Sequence, residues 1–400
     1  MSRARMRALL EEVTVLPNCG RTLTGLALVA LLAAGLLVSA PAARGQGAPI
    51  KIGAIFAVTG PGSSLGKPEK DTATMLQSQL SGGIGGRPVQ IIAYDSETDP
   101  TKALLLMKKA VTEDGAVAIV GGTTSPEAQA MADYAMQAGV PYLSLAASTT
   151  LSVPSRTWVF QTPQRNSIAA AKAMEYLVAL HAKTFAFLYR NDDFGQDGMV
   201  GLETFARPRG ITLVDSEPFA ATATDLSAQV ARARVKNPDV MVVWSTPPTA
   251  SIAAKNIRQL GLQTPILESH GIANQAFIQL AGPAADGVVF PSGKLLVVGR
   301  LPAGDPQKAL LTAYARDFDA TNHYPANTFG GHAFDAITML ADALRHVGPD
   351  RAKIRDYLEH LHGFVGTGGV FNMSPQDHNG LTTNDMVLVV IRHGTWAVWK

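Results

Sequence analysis

From Ile50 onward the chain alternates short apolar runs with helical patterns, and it does so twice. Candidate strands Ile50–Phe56, Val89–Tyr94, Ala116–Val120 and Tyr142–Leu145 form a first set. Phe185–Tyr189, Ile211–Ser216, Val240–Val243, Ile266–Leu267 and Val288–Phe290 form a second. Between them, apolar residues three and four apart mark helices, as in Ala103, Met107, Ala110 and Val111, or Ala128, Met131, Ala132 and Ala135. Such alternation predicts parallel sheets covered by helices on both faces. Local stops agree: Asp99-Pro100 opens one helix, and Gly139 and Gly261 close two others.

The two sets are separated by a break near Gln161–Asn166. After Pro291 the pattern changes to three helical stretches, Asp305–Asn322, Thr328–Val347 and Pro349–His360. A Gly-rich connection, Gly363–Gly369, leads to two last strand-like runs, Met386–Arg392 and Thr395–Trp399. The expected fold is α/β, with two doubly wound parallel-sheet lobes joined by a three-strand hinge. The first lobe comprises residues 50–165 plus 293–384, and the second 166–292 plus 385–400. Ligands of such sheets bind beyond the carboxyl ends of the strands, here in the cleft between lobes.

Ahead of this region, Arg21 precedes an apolar run from Leu23 to Val38, with Ala40 and Ala42 in A-x-A spacing. Residues 1–43 therefore read as a secretory signal peptide, with a membrane anchor as the competing reading. Cleavage would release a periplasmic protein. The segment carries four arginines and two glutamates, so the 34 basic and 32 acidic side chains fall to balance at 30 each. A neutral chain has no electrostatic footprint for nucleic acid. The sole cysteine, Cys19, lies before the apolar run, so disulfides, thiolate metal sites and thiol catalysis are excluded after cleavage.

Two strand exits are rich in hydroxyls. Gly121-Gly-Thr-Thr-Ser-Pro-Glu127 suits an anion at a helix N-terminus, or ordinary capping by Thr124 or Ser125. Leu145-Ala-Ala-Ser-Thr-Thr150 leaves the next strand. Together they point to a small-carboxylate site. The loop Thr59-Gly-Pro-Gly-Ser-Ser-Leu-Gly66 fits neither the P-loop nor the dinucleotide spacing. No H-E-x-x-H or comparable metal cluster occurs, so neither catalytic residues nor a metal or cofactor are expected.

Several segments, in order, resemble the periplasmic leucine/isoleucine/valine-binding protein family, the solute receptors of ABC importers. They are Ile50-Lys-Ile-Gly-Ala-Ile-Phe with Thr59-Gly-Pro61, Gly82-Gly-Ile-Gly-Gly86 and Tyr94-Asp-Ser-Glu-Thr-Asp-Pro100. Gly139-Val-Pro-Tyr-Leu-Ser-Leu-Ala-Ala-Ser148, Asp192-Asp-Phe-Gly195 and Gly271-Ile-Ala-Asn274 follow. The resemblance spans Ile50–Lys400 and implies a type I periplasmic-binding fold, a monomer, and an ABC permease of the inner membrane as partner. It places a ligand carboxylate on Ser125, Ala146 and Ser148, with Thr149 adjacent. Where the family uses an acid against the ligand's ammonium, this chain has His270; where an aromatic packs on the ligand, it has Thr246, near Trp244. The expected ligand is a carboxylate lacking an α-amino group, with His270 donating to a ligand oxygen and Phe194 and Phe329 as apolar walls. The alternative keeps an amino acid, with His270 a capped loop residue and Asp192 or Asp193 meeting the ammonium. A sensor acting in trans on a signalling partner, and a hydrolase using Asp192, Asp193 or His270, are the other function classes considered.

Overall fold

The computed structural model describes residues 47–399; the signal peptide expected at 1–43 lies outside them. The first sheet is built from β1 (Ile50–Phe56), β2 (Val89–Asp95), β3 (Ala118–Gly121), β4 (Tyr142–Ser144) and β5 (Val159–Gln161). Its order is β2-β1-β3-β4-β5, parallel throughout. Successive side chains of β1 diverge, as the pleat requires. Ile52, Ala54 and Phe56 join one core cluster, and Ile55 joins another. Both faces are therefore apolar, which is why the strand reads as a continuous hydrophobic run. Helices α1 (Ser63–Gln79), α2 (Pro100–Thr112) and α3 (Ser125–Ala138) make the crossovers. Asp99 caps α2 by accepting from the Lys102 N–H at 2.9 Å, and Gly139 ends α3 in the left-handed conformation.

After α4 (Asn166–Ala179) the second sheet begins. It comprises β6 (Thr184–Arg190), β7 (Thr212–Phe219), β8 (Val240–Trp244), β9 (Ile266–Glu268) and β10 (Val289–Gly293). Intervening helices are α5 (Asp193–Ala206), α6 (Ser227–Val235), α7 (Thr249–Gln259) and α8 (Gln275–Ala281). The chain then runs through α9 (Lys308–Asn322), α10 (Thr328–Val347) and α11 (Arg351–Glu359). Next come the hairpin β11 (His362–Val365) and β12 (Val370–Asn372), and last β13 (Met386–Arg392) and β14 (Thr395–Val398). The second sheet has the order β14-β13-β10-β9-β8-β6-β7, with β13 antiparallel to β10 and β14 antiparallel to β13. The two lobes are thus parallel α/β sheets as expected, the second carrying an antiparallel edge. Helix α10 lies against α1, where Gly330 leaves room for Pro68 and Thr72.

Three local expectations change. The first sheet has a fifth strand, Val159–Gln161, which pairs with β4 and ends where the break begins. The Gly-rich connection Gly363–Gly369 contains parts of a two-stranded hairpin. Strand β7 runs past Ser216 to Phe219 at the sheet edge, where polar residues such as Asp215 are tolerated.

The crossovers between lobes are tied by side chains. Asp335 of α10 accepts from the Thr367 N–H at 2.6 Å, the Thr367 hydroxyl at 3.0 Å and the Gly368 N–H at 2.7 Å. Gln307 donates to the Gly366 and Thr367 carbonyls, and Gln164 to that of Gly368. Asn379 donates to the carbonyls of Gln161 and Pro163. Buried backbone groups that leave a sheet need such partners, and here side chains supply them.

Candidate ligand-binding site

The carboxyl ends of β3, β4, β6, β8 and β9 open on a cavity. At the end of β3, Gly121 has φ +132° and Gly122 +66°, which turns the chain sharply into α3. Thr123 then accepts from the Ala57 N–H at 2.9 Å and donates to Glu69. Glu127 accepts from both the N–H and the hydroxyl of Thr124, at 2.9 and 2.6 Å. Thr124 and Glu127 thus satisfy each other at the helix start. The Ser125 hydroxyl, in a residue only 2% exposed, has no partner among the described residues and lines the cavity. Capping and an open donor are therefore both present, on different residues.

Ala146 lines the cavity beside Leu145 and Ala147. Ser148 and Thr149 are not among its lining residues. The Ser148 carbonyl accepts from Gln161 at 2.8 Å and its hydroxyl pairs with that of Thr150 at 3.0 Å. The Thr149 N–H donates to Asp197 at 2.7 Å, and its hydroxyl accepts from the Ser167 N–H at 3.1 Å. Both residues spend their polar groups joining the β4 exit to its neighbours.

From the second lobe come Arg190, Phe194, Thr246 and His270, with Phe329 and His332 of α10 completing the walls. Arg190 is 7% exposed and, with His332, is a lining residue that sequence reasoning missed. Its Nε lies against Asp192, one Nη donates to Thr246 at 2.9 Å, and the guanidinium sits 5.6 Å from the centre of the Phe194 ring. Asp192 also caps α5, accepting from the Phe194 and Gly195 N–H groups at 3.1 and 3.2 Å. It is thereby fully engaged, and Asp193 is not among the lining residues. Trp244 lies wholly in the core, where its indole N–H donates to Asn166 at 3.0 Å. Glu268, the acidic residue nearest His270, is fully buried, is pushed well above the usual carboxylate range by desolvation, and does not line the cavity. Arg190 is therefore the charged side chain of the lining, and no acidic residue joins it among the described residues.

His270 packs against Phe194 and Trp244, with ring centres 5.6 and 6.0 Å away. Neither of its nitrogens, nor Nδ1 of His332, has a hydrogen-bond partner among the described residues. Desolvation pushes His270 down to about 4, against a smaller opposing pull from the Gln164 backbone. Desolvation, with His270 adding to it, pushes His332 down to about 3. Both rings are neutral near pH 7. Below the ordinary value of 6.5 the unfolded chain takes up protons that the folded chain refuses, so stability is full above that pH and falls as the pH drops toward 4. Denaturant midpoints should therefore decline from pH 7 to 4.5, and less steeply in His270→Gln. Parallel declines in the two proteins would contradict the assignment.

Among the described residues no cluster of three or more potential metal ligands occurs, and no helix is long and apolar enough to cross a membrane. Two α/β lobes with a cavity lined from both and carrying unpartnered polar groups are the arrangement of a solute-binding protein. The periplasmic binding protein family profile matches residues 49–395, and the chain belongs to that family. Its members are solute-binding proteins rather than enzymes, and so is this chain. The leucine-, isoleucine-, valine-, threonine-, and alanine-binding protein of Pseudomonas aeruginosa is 25% identical over 316 residues, covering 77% of this chain and 82% of that one. A Leu/Ile/Val-binding protein of Rhizobium johnstonii is 26% identical over 79% of this chain and 84% of its own. Among solved structures, an extracellular ligand-binding receptor from Rhodopseudomonas palustris HaA2 is 27% identical with a TM-score of 0.83, covering 88% of this chain and 99% of that one.

Proposed function

We propose that this chain is an extracytoplasmic receptor that captures a small carboxylate lacking an α-amino group, aromatic or aliphatic, and presents it to an ABC permease of the inner membrane. The observation that carries this reading is the cavity's charge: one guanidinium and no acidic side chain. An amino acid's ammonium would lose its hydration without gaining a carboxylate partner, a cost of several kcal/mol in a buried site. Its carboxylate alone, however, suits Arg190 and the Ser125 hydroxyl. The relatives named for leucine, isoleucine and valine share the family, while His270 stands where the resemblance calls for an acid.

In this reading the ligand-binding residues are Ser125, Ala146, Phe194, Thr246, His270 and Phe329, joined by Arg190 and His332. Lobes 50–165 with 293–384 and 166–292 with 385–400 close as a periplasmic monomer about the tied crossovers. Protein refolded without ligand should gain thermal stability with benzoate or hexanoate and not with leucine or valine. At a hundredfold excess over the dissociation constant the gain is about 2.7 kcal/mol. A gain with leucine and none with the acids would overturn the proposal.

A further inference from the structure

The ligand cavity has two distinguishable ends. On one side it meets a second cavity that opens between Pro61, Pro126 and Pro248, and the two share Thr124, Arg190 and Thr246. On the other side it meets a smaller space lined by the crossover residues Gln164, Gly293, Thr367 and Gly368, and shares His332 with it. The guanidinium therefore marks the mouth end and the His332 imidazole the hinge end. Leu65, Leu145, Phe194 and Phe329 also line the cavity and supply apolar surface for the ligand body.

The hinge end is a built polar position. His332 is 5% exposed, and its carbonyl accepts from the Thr162 hydroxyl at 3.0 Å, which anchors the residue to the first crossover. Its Nδ1 has no partner among the described residues, and the neighbouring His270 has none at either nitrogen. Buried polar atoms of this kind cost stability unless something satisfies them. A neutral imidazole offers one donor and one acceptor. A hydroxyl complements it in both roles. An ammonium lacks the acceptor, and a second carboxylate would bring negative charge to an end without a cation.

We infer that His332 is a specificity-determining residue, and that the solute carries, besides its carboxylate, an uncharged hydroxyl at the end directed toward the hinge. This deepens the carboxylate reading and rests on it. A site built to bond a hydroxyl rejects the analogue lacking it far more strongly than an apolar pocket rejects an added one.

The test compares 4-hydroxybenzoate with 4-methylbenzoate, similar in size and charge but different at the far end, by calorimetric titration. The aliphatic pair 6-hydroxyhexanoate and hexanoate repeats the comparison without a ring. The hydroxylated member of at least one pair should bind about tenfold tighter or more. In His332→Phe that preference should shrink to about unity. His332→Gln, which keeps a donor and an acceptor, should retain most of the preference and guards against loss of the fold. A merely structural role would weaken both members of a pair alike. Equal binding within both pairs, or an unchanged preference in His332→Phe, would overturn this inference and leave the carboxylate reading standing. Binding of none of the four acids would overturn both.

Discussion

Replacing Arg190 by Met is expected to raise the dissociation constant for a carboxylate about 100-fold or more while leaving the lobes folded. Arg190 closes β6, is nearly buried, and projects into a cavity that holds no other charged side chain among the described residues. Of its five N–H donors, Nε faces Asp192 and one Nη donor is spent on Thr246, so the rest of the fork remains for a ligand. The charge of Asp192 is itself offset by two N–H groups at the start of α5. Truncating one partner of a desolvated charge pair costs about 2–5 kcal/mol, which is the basis of the expected change. Methionine keeps the apolar stem, so packing against Phe194 changes little. Arg190→Lys keeps a charge without the fork, and should fall between the two. Calorimetric titration with benzoate and hexanoate checks both variants. Unchanged affinity in Arg190→Met would remove the guanidinium from the site.

The second large effect concerns stability. Gly121→Ala should destabilise the protein by about 3 kcal/mol or more and abolish binding with it. Gly121 combines φ +132° with a position where a Cβ would strike the Ile55 carbonyl in the adjacent strand. Neither problem can relax cheaply: the conformation disfavours any L side chain, and the obstacle is sheet backbone rather than a mobile side chain. The turn also sets the direction of Thr123, Thr124 and Ser125. Gly85→Ala is the control. It has φ +57° with nothing within 4 Å of the added carbon, so only the conformational cost of about 1–2 kcal/mol applies. Chemical unfolding of the two variants separates steric from conformational cost. Equal losses would contradict the packing argument at Gly121.

The long elements were legible because their periodicity is strong. The helix expected at Thr328–Val347 has those bounds in the structure, as do β1 and β13. Strand β5 was not legible, since Val-Phe-Gln is too short to establish a period. At the site, Ser125, Ala146, Phe194, Thr246, His270 and Phe329 line one cavity. Ser148 and Thr149 belong to the same hydroxyl-rich exit, but composition does not say which way a hydroxyl points. Arg190 escaped notice because a lone cation after an apolar run reads as the boundary where a strand meets solvent. Its place at the carboxyl end of a parallel strand was the available signal. His332 gave less: it lies within a long helix, 62 residues beyond His270, and only the return of α10 to the cleft brings them together.

The most direct test of the central claim is a crystal structure of the protein with a bound carboxylate such as benzoate. The account predicts the carboxylate oxygens within about 2.7–3.1 Å of the Arg190 guanidinium or the Ser125 hydroxyl, with the apolar body between Phe194 and Phe329. A carboxylate bound away from both donors, or an amino acid seated with its ammonium on an acidic side chain, would contradict it.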